Sequence, residues 1–230
     1  MDEESVLDFN FWPSFSDLML ALVLVLCLVL FLVLTVISAG TVNLQQVQDN
    51  QMSMINQIAK TYKVQAKKIN DRTFGISSDG TDRYDIRIEN DLNQQRIAFS
   101  DKVLFLPDKT DINKRGQEIL SVVGQKLQTQ LGSIKEIQIQ GHADTNPTSY
   151  VLNTRLAAER AISVFEFFRT SVGIDPSQHL MSATSFGEYR PVGRTEGDTS
   201  FNWEKVLSEN VTDSQRSQNR RIELVLIYRQ

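Results

Sequence analysis

The sequence predicts an α+β protein: a single N-terminal transmembrane helix, then a mixed-sheet domain with helices packed on one face. Three observations carry this expectation. Residues 18–37, LMLALVLVLCLVLFLVLTVI, contain no charge, Gly or Pro, and twenty helical residues span about 30 Å, the thickness of a bilayer core. Beyond residue 80, segments that alternate apolar and polar residues take turns with segments of helical spacing, the pattern of a sheet covered by helices. The last patterned segment, RIELVLIY at Arg221–Tyr228, reads as a strand. The expected domains are a short tail (1–16), the membrane helix (17–39), a helical stalk (40–79) and the sheet domain (80–230).

The start is acidic, with Asp2, Glu3, Glu4 and Asp8 and no Lys or Arg. Signal peptides start basic and carry a shorter apolar run, so an uncleaved anchor is expected, although Ser38-Ala39-Gly40 is small enough to be cleaved. Asp17 stands at the edge of the apolar run. Ser14-Phe15-Ser16-Asp17 after Pro13 fits a capping box, which would make Asp17 a helix cap. An ionisable residue at the edge of hydrocarbon is also a functional-site candidate. One span cannot enclose an ion path, so that second reading needs a multi-span partner.

Residues 41–62 are rich in Gln and Asn, with Leu44, Val47, Gln51, Met54, Ile58 and Tyr62 at spacings of three and four. They predict a helix, either pairing with its twin along this seam or standing as a polar stalk. Residues 75–82, GISSDGTD, predict a turn. Strands are expected at 84–89, 95–99 and 103–106, and a break at 107–111. A helix is expected over 113–131, with Ile119, Leu120, Val123, Leu127 and Leu131 as its apolar set. A strand follows at 134–140, then a polar loop over 142–150 with Pro147. Residues 151–169 predict a second helix ended by Gly173, and 180–186 a strand. Residues 187–214 read as a loop-rich insertion.

Composition removes several functions. The net charge is −4, and with five acids in residues 1–17 the remainder holds 23 acids against 24 bases. That balance argues against nucleic-acid binding. The single cysteine, Cys27, lies in the apolar run, and His142 and His179 are the only histidines, so no metal, other cofactor or enzymatic centre is expected.

One polar constellation stands out. A strand leads into Gly141-His142-Ala143-Asp144, and the next helix carries Asn153, Leu156 and Arg160 at i, i+3 and i+7, on one face. A carboxylate beside a guanidinium can clamp a zwitterion; the same two residues can equally form a structural Asp144–Arg160 salt bridge. Farther on, Asn219-Arg220-Arg221 leads into the last strand and reads as a solvated edge.

GHAD, N-x-x-L-x-x-x-R-A from Asn153 to Ala161, Gly187, Pro191 and NRRIEL together resemble the OmpA-like peptidoglycan-binding domain, over about residues 98–228. Val103-Leu104-Phe105 and Gly116 resemble its opening strand and turn. The resemblance implies binding of the peptidoglycan stem-peptide diaminopimelate by Asp144 and Arg160, with Asn153 and Leu156 lining the site. Trp12 and Phe15-Ser16-Asp17-Leu18-Met19 before a single span resemble the B subunits of ion-driven motors, MotB and PomB. That implies Asp17 as the ion carrier, for protons or alternatively sodium, a multi-span MotA/ZorA-like partner, and a dimer of this chain. It also implies an inner-membrane location, with the tail cytoplasmic and the domain periplasmic. The short acidic tail and WPSFSDLM are most similar to the ZorB subunits of the Zorya anti-phage system. A flagellar stator B subunit and a passive OmpA-like wall anchor are the alternatives.

Overall fold

The computed structural model describes residues 12–78, 84–145, 150–194 and 197–229. The acidic tail, the centre of the turn expected at 75–82 and Pro147 of the loop expected at 142–150 lie outside them. Two compact units result, Met1–Gln45 and Gln46–Gln230.

Helix α1 (Trp12–Tyr62) begins in the first unit. Every side chain from Trp12 to Val36 is exposed, and this stretch is long and apolar enough to cross a membrane. Asp17 is its one charged residue. Pro13, Ser14 and Asp17 all lie inside the helix, so Ser14 does not cap it.

In the second unit α1 is part of the folded domain. Val47, Gln51, Met54, Ile55, Ile58 and Ala59 are buried, and the apolar five belong to the main core. From Val47 onward, the seam expected to face a twin or solvent is thus occupied by the chain's own sheet. Burying Met54, Ile55 and Ile58 is worth about 2 kcal/mol each, enough to hold the helix down. The polar seam residue, Gln51, donates to the carbonyls of Asp91 (2.8 Å) and Gln94 (3.1 Å). Its own carbonyl accepts from Gln95 Nε2. The compact unit therefore starts at Gln46 rather than at residue 80.

The remaining elements are β1 (Lys67–Lys68), β2 (Thr73–Ile76), β3 (Ile86–Asn90), β4 (Gln94–Ser100), α2 (Asp101–Leu104), α3 (Lys114–Gln128), β5 (Ile134–His142), α4 (Tyr150–Phe167), β6 (Met181–Gly187), α5 (Trp203–Ser208), α6 (Asp213–Asn219) and β7 (Arg221–Tyr228). Among the described residues, seven strands run in the order β1-β2-β3-β4-β7-β5-β6. All neighbours are antiparallel except β5 and β6, whose parallel pairing is bridged by α4, since parallel strands need a crossover.

One face of the sheet carries Ile88, Ile97, Phe99, Ile137, Ile139, Ile222, Leu224 and Leu226, which form a single core with α1, α3 and α4. Helix α3 keeps its expected apolar set inside, with Leu131 packed beside it. Asn113 caps α3, accepting from the Gly116 amide at 2.8 Å. Gly173, at φ +82°, ends the turn that extends α4.

Two expectations are corrected. Val103–Leu106 is not a strand: residues 101–104 form one helical turn, and Phe105 makes an isolated bridge to Ile112. A short apolar run does not distinguish a strand from a buried turn, and Val103, Leu104 and Phe105 are apolar because they are buried. The insertion over 187–214 is not mere loop either. It contains α5, capped by Asn202, and the start of α6, which a Thr212–Gln215 capping box begins. These helices bury only Val206 and Asn219, so no apolar periodicity announces them.

Candidate functional site: an alternating carboxylate–guanidinium chain

The site lies where the ends of β5 and β6 meet α4. At Gly141 a Cβ would stand 2.1 Å from the Ala157 carbonyl oxygen, and at Gly187 2.6 Å from Thr154 Oγ1. These two glycines let α4 lie directly on the strand ends. The Ala143 amide donates to the Gly187 carbonyl at 2.8 Å, and Asp144 follows just beyond the end of β5.

Asp144 and Arg160 are both buried, at 4% and 6% exposure. They are joined through two intermediaries. Arg160 Nη1 lies 3.4 Å from Asp101 Oδ2, and Asp101 Oδ2 also accepts from Arg220 Nε at 3.2 Å. Arg220 Nη1 donates to Asp144 Oδ2. The order is Arg160, Asp101, Arg220, Asp144, with charges alternating. Arg160 also donates through Nε to the Lys109 carbonyl (3.0 Å) and stacks over Phe105, 5.0 Å from its centroid. The direct Asp144–Arg160 salt bridge considered from the sequence is therefore replaced by a four-residue chain.

Asn153 donates to the Asp144 carbonyl at 3.2 Å, and Leu156 is half-buried on the same helix. Burial lowers the Arg160 pKa, with Asp101 opposing. For Arg220 burial acts downward too, but the hydrogen bonds and charges of Asp144 and Asp101 prevail and raise it. Both remain cations. Glu188 is buried beside this group, and its carboxyl is raised above its ordinary range by burial and by the Asp144 charge, against Asn153 and its own backbone.

Sequence reasoning missed Asp101 and Glu188, and it misread the arginine pair. Arg220 is a bridge, and Arg221 is buried at 6% exposure on the opposite face. Asn219 pins the preceding segment, accepting from the Val192 amide and donating to the Glu209 carbonyl and Asn210 Oδ1. Three consecutive polar residues with three separate jobs were the available signal.

The OmpA family model matches residues 104–220, just over half of the chain. The chain belongs to the OmpA family. Among solved structures, the OmpA-family fold seen here is similar to a MotB-like protein from Desulfovibrio vulgaris, at 20% identity over 81% of this chain and 96% of that one, TM-score 0.53. It is also similar to the periplasmic domain of Helicobacter pylori MotB, at 16% identity over 70% and 90%, TM-score 0.50. At such identities the likeness is one of fold. No match is found among curated proteins.

Proposed function

We propose that this chain is the peptidoglycan-anchored B subunit of an ion-driven membrane motor, working with a multi-span A-type subunit. The supporting observation is the union, in one chain, of a single carboxylate in an apolar helix (Asp17) with an OmpA-family domain holding the buried Arg160–Asp101–Arg220–Asp144 chain. In this reading α1 crosses the inner membrane with the tail cytoplasmic and the domain periplasmic. Two copies pair inside a ring of A subunits, and Asp17 faces the ring. Proton binding neutralises the carboxylate and release recharges it; each charge crossing 100 mV yields about 2.3 kcal/mol. The domain holds the pair against the cell wall while the ring turns. The short acidic tail and WPSFSDLM favour a Zorya-type role in anti-phage defence.

At the wall end, a diaminopimelate carboxylate meets Arg160 and its ammonium meets Asp144. Arg220, whose side chain is 37% exposed, then yields Asp144 to the ligand and keeps Asp101. Losing charge-assisted hydrogen bonds costs about 1.5–3 kcal/mol, so Arg160→Ala is expected to weaken pelleting with purified peptidoglycan about tenfold or more. Unchanged pelleting would leave Arg160 a purely structural residue.

The motor reading is tested by phage plaquing on a host carrying the native operon, wild type beside Asp17→Asn at matched membrane levels. Protection is expected from wild type and none from Asp17→Asn. Protection by the Asn variant would remove the ion-carrier role. A wild type that gives none would remove the defence role and move the test to swimming in a stator-deleted host.

A further inference from the structure

The sheet has a second face, and its chemistry differs from that of the site above. Strand register places Arg87 opposite Ala98, Ala98 opposite Glu223, and Glu223 opposite Gln140, with Arg221 opposite His142. Side chains alternate along a strand, so these residues share the face turned away from α1, α3 and α4. A cavity of about 520 Å³ opens there, bordered also by Ser214, Ser217 and Gln218 of α6. That volume suits a small organic ligand.

The cavity is basic. Among the described residues lining it, six carry positive charge and three carry carboxylates. Its floor is a buried polar group. Glu223, at 5% exposure, pairs with Arg96 and with Arg221, the latter at 2.6 Å. The Arg221 Nη2 donates to the Arg190 carbonyl at 3.2 Å. The Arg190 side chain reaches the same floor through Gln140 Oε1, at 3.4 Å. His142, wholly enclosed there, donates from Nδ1 to the Arg190 carbonyl at 3.2 Å. Burial and the Arg221 charge hold its pKa down to about 4, against Glu223, so it is uncharged at neutral pH.

Arginine forks match oxyanions in paired hydrogen bonds. We propose that this cavity binds a phosphate-bearing ligand, its dianionic group seated between Arg96, Arg190 and Arg87 and its organic part against Tyr84 and Ile69. The site is separate from the Asp144 chain. Consecutive residues Arg220 and Arg221 point to opposite sides, so the sheet stands between the two.

The test uses the full chain in detergent, with equilibrium dialysis against inorganic phosphate, glucose 1-phosphate and dioctanoyl phosphatidic acid at up to about 10 mM. Saturable binding of one probe per chain is expected. Arg87 is exposed, so Arg87→Gln probes the cavity without disturbing its floor, and together with Arg190→Gln it is expected to weaken binding about tenfold or more. Arg160→Ala is expected to leave phosphate binding unchanged, which separates this proposal from the wall-binding one. Preference for phosphatidic acid assigns a lipid headgroup, and preference for glucose 1-phosphate a soluble ester. No saturable binding of any probe, or binding that survives both arginine substitutions, would overturn the proposal.

Discussion

Replacing Gly141 with Ala is expected to destabilise the domain by about 3 kcal/mol. The added Cβ would meet the Ala157 carbonyl oxygen at 2.1 Å and its carbon at 2.7 Å. Both atoms are helix backbone, so no side-chain rotation relieves the clash; α4 must move off the sheet. For a chain of this size that loss lowers the melting temperature by about 6–12 °C, measurable by thermal unfolding of the full chain in detergent. Gly132→Ala, with nothing within 4 Å of its Cβ, is the control and should leave the melting temperature within about 2 °C. Because α4 carries Asn153, Leu156 and Arg160, Gly141→Ala should also lose peptidoglycan pelleting. A variant that melts with wild type would show that α4 is not held this closely.

Glu223→Ala is expected to cost about 4 kcal/mol, since breaking a buried ion pair strands its partners. Arg96 and Arg221, with side chains 15% and 7% exposed, would lose their shared carboxylate. Acid should act in the same direction. Burial tends to raise the Glu223 pKa, but Arg221, His142 and Arg96 prevail and hold it well below the usual carboxylate range. Its stabilisation is therefore present above the unfolded value near 4.5 and is lost as pH falls toward the folded one. His142 is depressed from 6.5 to about 4. Between those values the unfolded chain binds more protons, so stability falls by about 3 kcal/mol as pH drops through that window. Melting curves from pH 7 to 4 should fall steeply for wild type and less for His142→Phe. Parallel curves would remove His142 from the cause.

The GHAD stretch shows how closely packed the roles are. Gly141 admits α4, His142 turns to the basic cavity, Ala143 ties the two parallel strands, and Asp144 enters the charged chain. A sequence reading groups these residues by adjacency, while a strand sends neighbours to opposite faces. That explains why the place of Asp144 just past the end of β5 was legible and the environment of His142 was not.

Several elements follow from local pattern alone. The uncharged run, the apolar stripes of α3 and α4, the strands β5 and β7 and the helix-ending Gly173 are all written in spacing a few residues long. Pairing the strand end at Asp144 with the helix face at Arg160 was within reach for the same reason. Tertiary structure alone decided the rest. Arg220 meets Asp101 across 119 positions and Asp144 across 76, and two strand registers bring them together: β4–β7, with Ser100 opposite Arg221, and β5–β7, with His142 opposite Arg221. Likewise the stripe from Val47 to Ala59 says that a helix face will be buried, not against what. Its partner is the chain's own sheet because that sheet has an apolar face to cover, and a periodicity carries no record of the surface that will meet it.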